Sequence, residues 1–578
     1  MITTSGVQSY SDRVQLVADT KIVARSISFS TVAGFSKQLA LEPSEPIILD
    51  GANFTGLRGL SVKGSATLTG SFSVMESLAF LGPAFHDPFY RVSLASDTVL
   101  NAPAITVNGL VDGRWYQLEC LGDTVFGSAV SGLARLTVSG QVSLAGDVST
   151  LLDQVYDDQV TLAADVFLSG TSGSFSNGVD AAGHALGLLF SEDMVLDPTV
   201  FANLGGFTAG GGGTTTLVAG LTSTGTGYVT FADDVLVESD VIIRAGEGVV
   251  SFGGAVQGGG QSVQTVTTAY TIFAKPVVLR SLDVAGGAAV IGLSATDAVT
   301  IDTSDTQVFA QDAVITGTVV LTAGGGFSFQ GPVTGNGGLT LRSDQTTTFD
   351  GFVLLGSLHT DAGGTTVVNT ASITTTDPNT LEFGDPVILT RNTNFSAGAG
   401  DLIFRSTVDG PFALNAFSQG STIFGGVVGG TDPLAQVATD FGGTTALDGG
   451  RVVTSGMQSY GDAVVLGADT LLSGATLRFA GTVDGAFALE ANATVETAFS
   501  GAVGGVTKLA SLSTDAGGTV SLQSVATSGP QRYSDDVVTL AGDYSTSDAP
   551  FTVDRVTMLA GATTVATGNG AITFGGTV

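Results

Sequence analysis

Apolar residues in this chain alternate with small or polar ones for three to six positions and then stop. "TLRFAGTV" (476–483) and "VVTLAG" (537–542) are representative, and the runs break at Gly, Asp-Gly or Asn-Gly. A period of two over so short a run predicts short, half-buried strands, and the breakers predict a turn after each one. Short strands at this spacing with a strict long-range repeat do not suit a hairpin sandwich. They predict an all-β parallel β-helix, in which every strand pairs with its equivalent one coil further on.

The repeat itself is written in aromatic residues and glycines. Phe-x-Gly-x-Val-x-Gly occurs at 252–258, 329–335, 424–430, 479–485 and 499–505, and "FGSAVSG" (126–132) and "FRSTVDG" (404–410) keep all but the middle glycine. Phe329, Phe404 and Phe479 are spaced by 75 residues, as are Phe349, Phe424 and Phe499, while each pair such as Phe479 and Phe499 is 20 apart. A second marker precedes the first: "QSYGDAVVL" around Tyr460 returns as "QRYSDDVVTL" around Tyr533, "QVFAQDAVI" around Phe309, "QVYDDQVTL" around Tyr156 and "QSYSDRVQL" around Tyr10. These intervals predict coils of about 19 residues, with a longer sequence repeat of 75 residues laid over four coils.

Residues recurring once per coil should stack about 4.8 Å apart, so Phe329, Phe349, Phe404, Phe424, Phe479 and Phe499 are expected to form an internal ladder, with Val483 beneath Val503. Gly481, Gly485, Gly501 and Gly505 are expected at the turns between faces, where a positive φ suits glycine. Residues 231–578 carry this pattern regularly. Residues 1–230 carry it less regularly, with "LEPSEPIILDG", "LGPAFHDPFYRV" and "LGGFTAGGGGTTT" expected as protruding loops, although "VDGRWYQLE" (111–119) still matches "VDGAFALE" (483–490) with one extra residue.

Composition narrows the class further. Among 578 residues there are 82 Gly but only 14 Pro, and charged residues make up 12%, so neither collagen nor a disordered chain fits a sequence that is 43% hydrophobic. The formal charge of −32 comes from 52 acidic against 20 basic residues, the latter scattered singly. That argues against nucleic acid or anionic lipid as partner and suits acids that keep an apolar stack soluble. Ca²⁺ held by aspartates in stacked turns is the alternative use of those acids, but the Asp-rich nonapeptide of calcium-binding β-rolls is absent. No apolar run reaches the roughly 18 residues of a spanning helix, so a membrane-embedded chain is not expected. Cys120 stands alone, which excludes a disulfide within the chain. The opening "MITTSGVQSYSDRVQLVADT" is not a signal peptide and reads as the middle of a repeat; with "ITFGGTV" at the other end, both ends read as cuts in something larger.

Catalysis finds little to work with. The histidines are His86, His184 and His359, of which His184 in "DAAGHAL" takes a place in the repeat and His86, beside Asp87, is the best lone candidate. Neither a phosphate-cradling G-x-x-x-x-G-K-[ST] loop nor an H-E-x-x-H zinc pattern is present. The pairs Asp157 and Asp158, Asp233 and Asp234, and Asp535 and Asp536 follow the aromatic anchors and read as a solvated ladder of turns. Trp115 and Tyr116, with Phe89 and Tyr90, are candidates for a surface aromatic patch that would bind glycan.

The phrases "TSGMQSYGDAVVLGADTLLSGATLRFAGTVDGAFAL" (454–489) and "TAFSGAVGGVTKLASLSTDAGGTVSL" (497–522) resemble the repeats of the very large filamentous-haemagglutinin-like exoproteins of Gram-negative bacteria. The resemblance spans most of 230–578 and implies a right-handed β-helix, secretion through an outer-membrane partner, and a role in adhesion, biofilm or surface fibres. The resemblance does not extend to that family's signal peptide and N-terminal secretion domain, which these residues do not match, so it leaves the export route open. The expectation is therefore a non-enzymatic extracellular rod, an adhesin stalk or filament without cofactor, whose partners are surface or matrix glycans. Rods stacking end to end into a sheath, and a polysaccharide-degrading or glycan-binding β-helix, are the alternatives.

Overall fold

The structure is a computed structural model that describes residues 1–82, 90–376 and 380–578. It is all-β, a β-solenoid of parallel strands with roughly 20 residues per coil. Among the described residues there is no α-helix, only the short 3-10 turns Gly51–Asn53 and Pro198–Val200. Contacts divide the chain into two compact units, Met1–Lys275 and Pro276–Val578.

In the first unit one column runs from the exposed Ile2 through the buried Ile22, Leu41, Val62, Phe80, Val107, Phe126, Leu144 and Leu162, each residue paired in parallel with the next. Most steps are 18 to 21 residues, but Phe80 to Val107 is 27, where "LGPAFHDPFYRV" is inserted. That insertion contains 83–89 and with them His86, Asp87 and Phe89, which lie outside the described residues.

The second unit has three strands per coil. Gln307–Phe309, Ala313–Ile315 and Thr318–Ala323 make one coil, and Phe327–Phe329, Val333–Thr334 and Gly338–Arg342 the next. The three strand positions are called faces A, B and C in that order. Alternation puts Phe329, Val333 and Leu339 inside while Ser328 and Thr340 stay partly exposed, so each face adds a column to the core.

The ladders run in short stretches. On face A the rings of Phe309, Phe329 and Phe349 stack with centroids 5.1 and 5.2 Å apart. Phe349 then pairs with Val368 and Val368 with Leu389, so the ladder continues as aliphatics. Phe383, Phe404 and Phe424 stack at 5.4 and 5.6 Å, but on face C, because Thr360 of that face pairs with Phe383. Tyr460, Phe479 and Phe499 stack at 5.1 and 4.6 Å on face B. Face A receives a ring again at Tyr533, eleven coils beyond Phe309.

The 75-residue repeat therefore does not cover four whole coils. Three repeats fill eleven coils, so each spans three coils and two further faces, and its rings move to a new face every time. The physical reason is coil length: strands and turns here take slightly more than 20 residues, not 19, and the excess accumulates to a third of a coil over 75 residues. Each ring shares its coil with aliphatic neighbours on the other faces: Val408 and Leu414 for Phe404, Leu472 and Val483 for Phe479. The bulky ring thus moves around the axis from repeat to repeat, with smaller aliphatics on the other two faces, which suits close packing.

The turn glycines divide by role. Gly485 has φ +135°, whereas Gly481 and Gly501 are not left-handed; a Cβ on either would run into the backbone of the preceding coil, at Asp462 and Gly481 respectively. Beside Gly505 it is Gly504 that takes positive φ, at +69°. Val483 and Val503 form a parallel bridge, one above the other.

Candidate functional site

Three places in this fold carry polar chemistry to be weighed: inside the coils, at the corners, and on the turn at Arg114 and Trp115, whose left-handed pair is shared by the turn at Phe35 and Ser36. Inside, a glutamine precedes several ladders by two residues. Gln458 Nε2 donates to the carbonyls of Val452 (3.2 Å) and Ser473 (2.9 Å), the latter one coil on, and its Oε1 accepts the Tyr460 hydroxyl at 3.0 Å. Gln154 with Tyr156 and Gln531 with Tyr533 repeat this bracket, at 2.9 and 3.1 Å for the hydroxyl contact. Gln307 makes the same amide bonds to Ile301 and Thr322, but its ring is Phe309, and its Oε1 is buried with no partner. The bracket opens the ladder and ties two coils together. Its signal was present in the repeated Q-x-Y and Q-x-F of the sequence, but hydrophobic periodicity gives such a glutamine no weight.

At the corners, carboxylates accept backbone N–H groups from the next coil. Asp97 takes Gln117 N–H at 2.9 Å, Asp165 takes Ala185, Asp234 takes Ala255 and Asp469 takes Ala488, at 2.8 to 2.9 Å. Much of the acidity thus staples coils, since each such bond satisfies a turn amide that the ladder leaves over. Of the aspartate pairs, Asp157 is exposed and Asp158 accepts from Asn177, which draws its carboxyl below the usual range; Asp233 accepts from Gly212. Asp535 departs from the expected solvated turn. It is fully buried and bonded to the Thr514 hydroxyl, while Asp536 pairs with Arg555 at 3.1 Å. Among the described residues no three His, Cys, Asp or Glu side chains are grouped so as to hold a metal ion.

The histidines are separated. His184 Nδ1 is 3.6 Å from Asp165 at a turn, and His359 Nδ1 is 3.5 Å from Glu382, which also pairs with Arg405 on the following coil. Cys120 is buried and its thiol is pushed up to about 12 by that burial, so it is inert packing.

The strained turn joins Leu110–Asp112 to Leu118–Phe126. Arg114 and Trp115 both hold left-handed φ, +48° and +69°, in a conformation that side chains of this size avoid. Three bonds fix it: Tyr116 N–H to Gly113 O at 2.9 Å, Trp115 N–H to Gly132 O at 2.6 Å, and Ala134 N–H to Tyr116 O at 2.9 Å. Trp115 is 68% exposed and Tyr116 37%. Leu152 N–H bonds Ala134 O at 2.8 Å, so the exposed Leu151 and Leu152 continue the apolar strip on the same corner two coils on. Arg114 and Arg91 flank Asp112 at 3.5 Å on the polar side. Tyr90 does not join the patch expected of it: its ring is buried against Gly109, where any side chain would strike it.

Compared with family models, curated proteins and solved structures, the chain has no match. No helix among the described residues is long and apolar enough to cross a membrane.

Proposed function

We propose that this chain is a non-enzymatic, extracellular structural segment: a β-solenoid scaffold of a surface adhesin or filament. The observation that carries the reading is that the sequence repeats the chemistry of stacking. Ladders, glutamine brackets and corner aspartates all connect one coil to the next, so length rather than a single pocket is what the repeats extend. The resemblance to filamentous-haemagglutinin-like repeats supports the extracellular and adhesive part of the reading.

The Trp115 turn supports a contact surface on the scaffold. Holding Arg114 and Trp115 left-handed costs roughly 1–2 kcal/mol each, and the ring so placed packs against little. An aromatic face beside Arg114, Asp112 and Tyr116 suits a neutral sugar, whose apolar face stacks and whose hydroxyls find donors and acceptors; polyanions are disfavoured by the net charge. Incubating the full chain with panels of neutral and acidic polysaccharides tests both parts. Retention of neutral glycans without cleavage, lost in Trp115→Ala, is expected. Specific cleavage abolished by one substitution would overturn the structural reading.

A further inference from the structure

In three successive repeats of the second unit an aspartate stands two residues after the ring that opens the ladder: Asp385 after Phe383, Asp462 after Tyr460 and Asp535 after Tyr533. All three are turned inward, 2%, 5% and 0% exposed. Because the repeat moves one face each time, they occupy three different corners: C to A, B to C and A to B.

Their partners are hydroxyls of the preceding coil. Asp385 contacts Thr360 Oγ1 at 2.8 Å and Thr366 Oγ1 at 2.9 Å; Asp462 contacts Thr439 at 3.0 Å and Thr445 at 2.7 Å; Asp535 contacts Thr514. Thr360, Thr439 and Thr514 each begin a T-D-x-G-G-T corner, and the acid that follows, Asp361, Asp440 or Asp515, accepts the backbone N–H of Ser343, Ser418 or Ala493, three residues spaced by 75. The charged groups acting on the buried carboxyls are therefore these acids, together with Asp536 at the third corner, and all of them are like charges.

Two of the three sites ask for a proton. Asp462 Oδ2 and Asp535 Oδ1 are buried without any partner. At Asp385 the Thr360 and Thr366 hydroxyls can serve one oxygen each, so there burial and the neighbouring Asp361 are what oppose the charged form. A buried carboxylate with no cation, a like charge beside it and an idle oxygen is disfavoured against its neutral acid.

We propose that Asp385, Asp462 and Asp535 are proton-carrying keystones that close three corners of the solenoid in mild acid and loosen them as they ionise. Burial raises the pKa of all three, that of Asp535 to about 6. A folded pKa above the unfolded value means that the native state holds the extra proton. The stabilisation is complete below the ordinary carboxyl range and is lost as pH rises through each folded pKa, about 6 for Asp535.

The test is the denaturant midpoint of the full chain at several pH values between about 4.5 and 7.5, for the native sequence and for D385N/D462N/D535N, in which amides imitate the neutral acids. The native midpoint should fall across this window, and the variant should lose that fall and stand higher at the alkaline end. Parallel profiles would overturn the proposal. So would a native midpoint at pH 7.5 that Ca²⁺ raises and EDTA lowers while the variant stays put, since the carboxylates would then hold a cation. If the triple variant does not fold, D535N alone must flatten the upper part of the profile, and a profile unchanged by it refutes the keystone role.

Discussion

A single hydroxyl separates a complete bracket from an incomplete one. Tyr156, Tyr460 and Tyr533 each give their proton to a buried glutamine oxygen, and Phe309 leaves Gln307 Oε1 idle in the same frame. Phe309→Tyr should therefore stabilise the second unit by about 1 kcal/mol, because it fills a demand that already exists, and Tyr460→Phe should cost about 1–2 kcal/mol by creating one. Denaturant midpoints of the two variants should move in opposite directions; movement in the same direction would show that ring packing, not the hydroxyl, decides. At the Trp115 turn the sign is reversed. Trp115→Gly removes a left-handed bulky residue and should raise stability by about 1 kcal/mol while abolishing glycan retention, a separation that a merely structural tryptophan would not show.

A ladder rung is the unit at the next scale. Phe479 lies between Tyr460 and Phe499, buried, with Leu472 and Val483 completing its coil. Phe479→Ala should cost about 3–5 kcal/mol, and because coils contact chiefly their neighbours the damage should stay local. Hydrogen exchange should quicken around 460–499 and remain unchanged near Phe329; a global loss of protection would contradict the nearest-neighbour picture. Strands and coils were legible from sequence because alternation and turn residues mark each strand, and rings mark each coil. The ring positions were legible for the same reason. The glutamine brackets and buried aspartates were not, since a polar residue two places from a ring looks like an exposed one until its hydroxyl or amide partner on another coil is known. The face on which each ring lies was also hidden: a coil of 19 and a coil slightly above 20 differ little over one step, and only the accumulated third of a coil tells them apart.

That accumulated fraction has a consequence for the second unit as a whole. Residue 404 and residue 479 hold the same place in the repeat, each a stacked phenylalanine leading into a corner that continues to Val408 or Val483. Deleting 405–479 joins Phe404 to Ala480, so locally the chain meets the corner it expects and core alternation is preserved. The face is not preserved. Val483, which belongs to face C, must take the place of Val408 on face A, and every later residue moves by one face with it. Folding should survive this rotation, because ladders, aliphatics and glycine corners recur on all three faces in the same order. Deleting 405–474 removes five residues fewer, sets the rings against turn positions and inverts strand alternation, so it should aggregate or become protease-sensitive. Limited proteolysis and thermal unfolding of the two deletions against the full chain decide the matter. A 75-residue deletion as fragile as the 70-residue one would mean that each face is specialised, and the repeat would then be a sequence pattern without interchangeable structure.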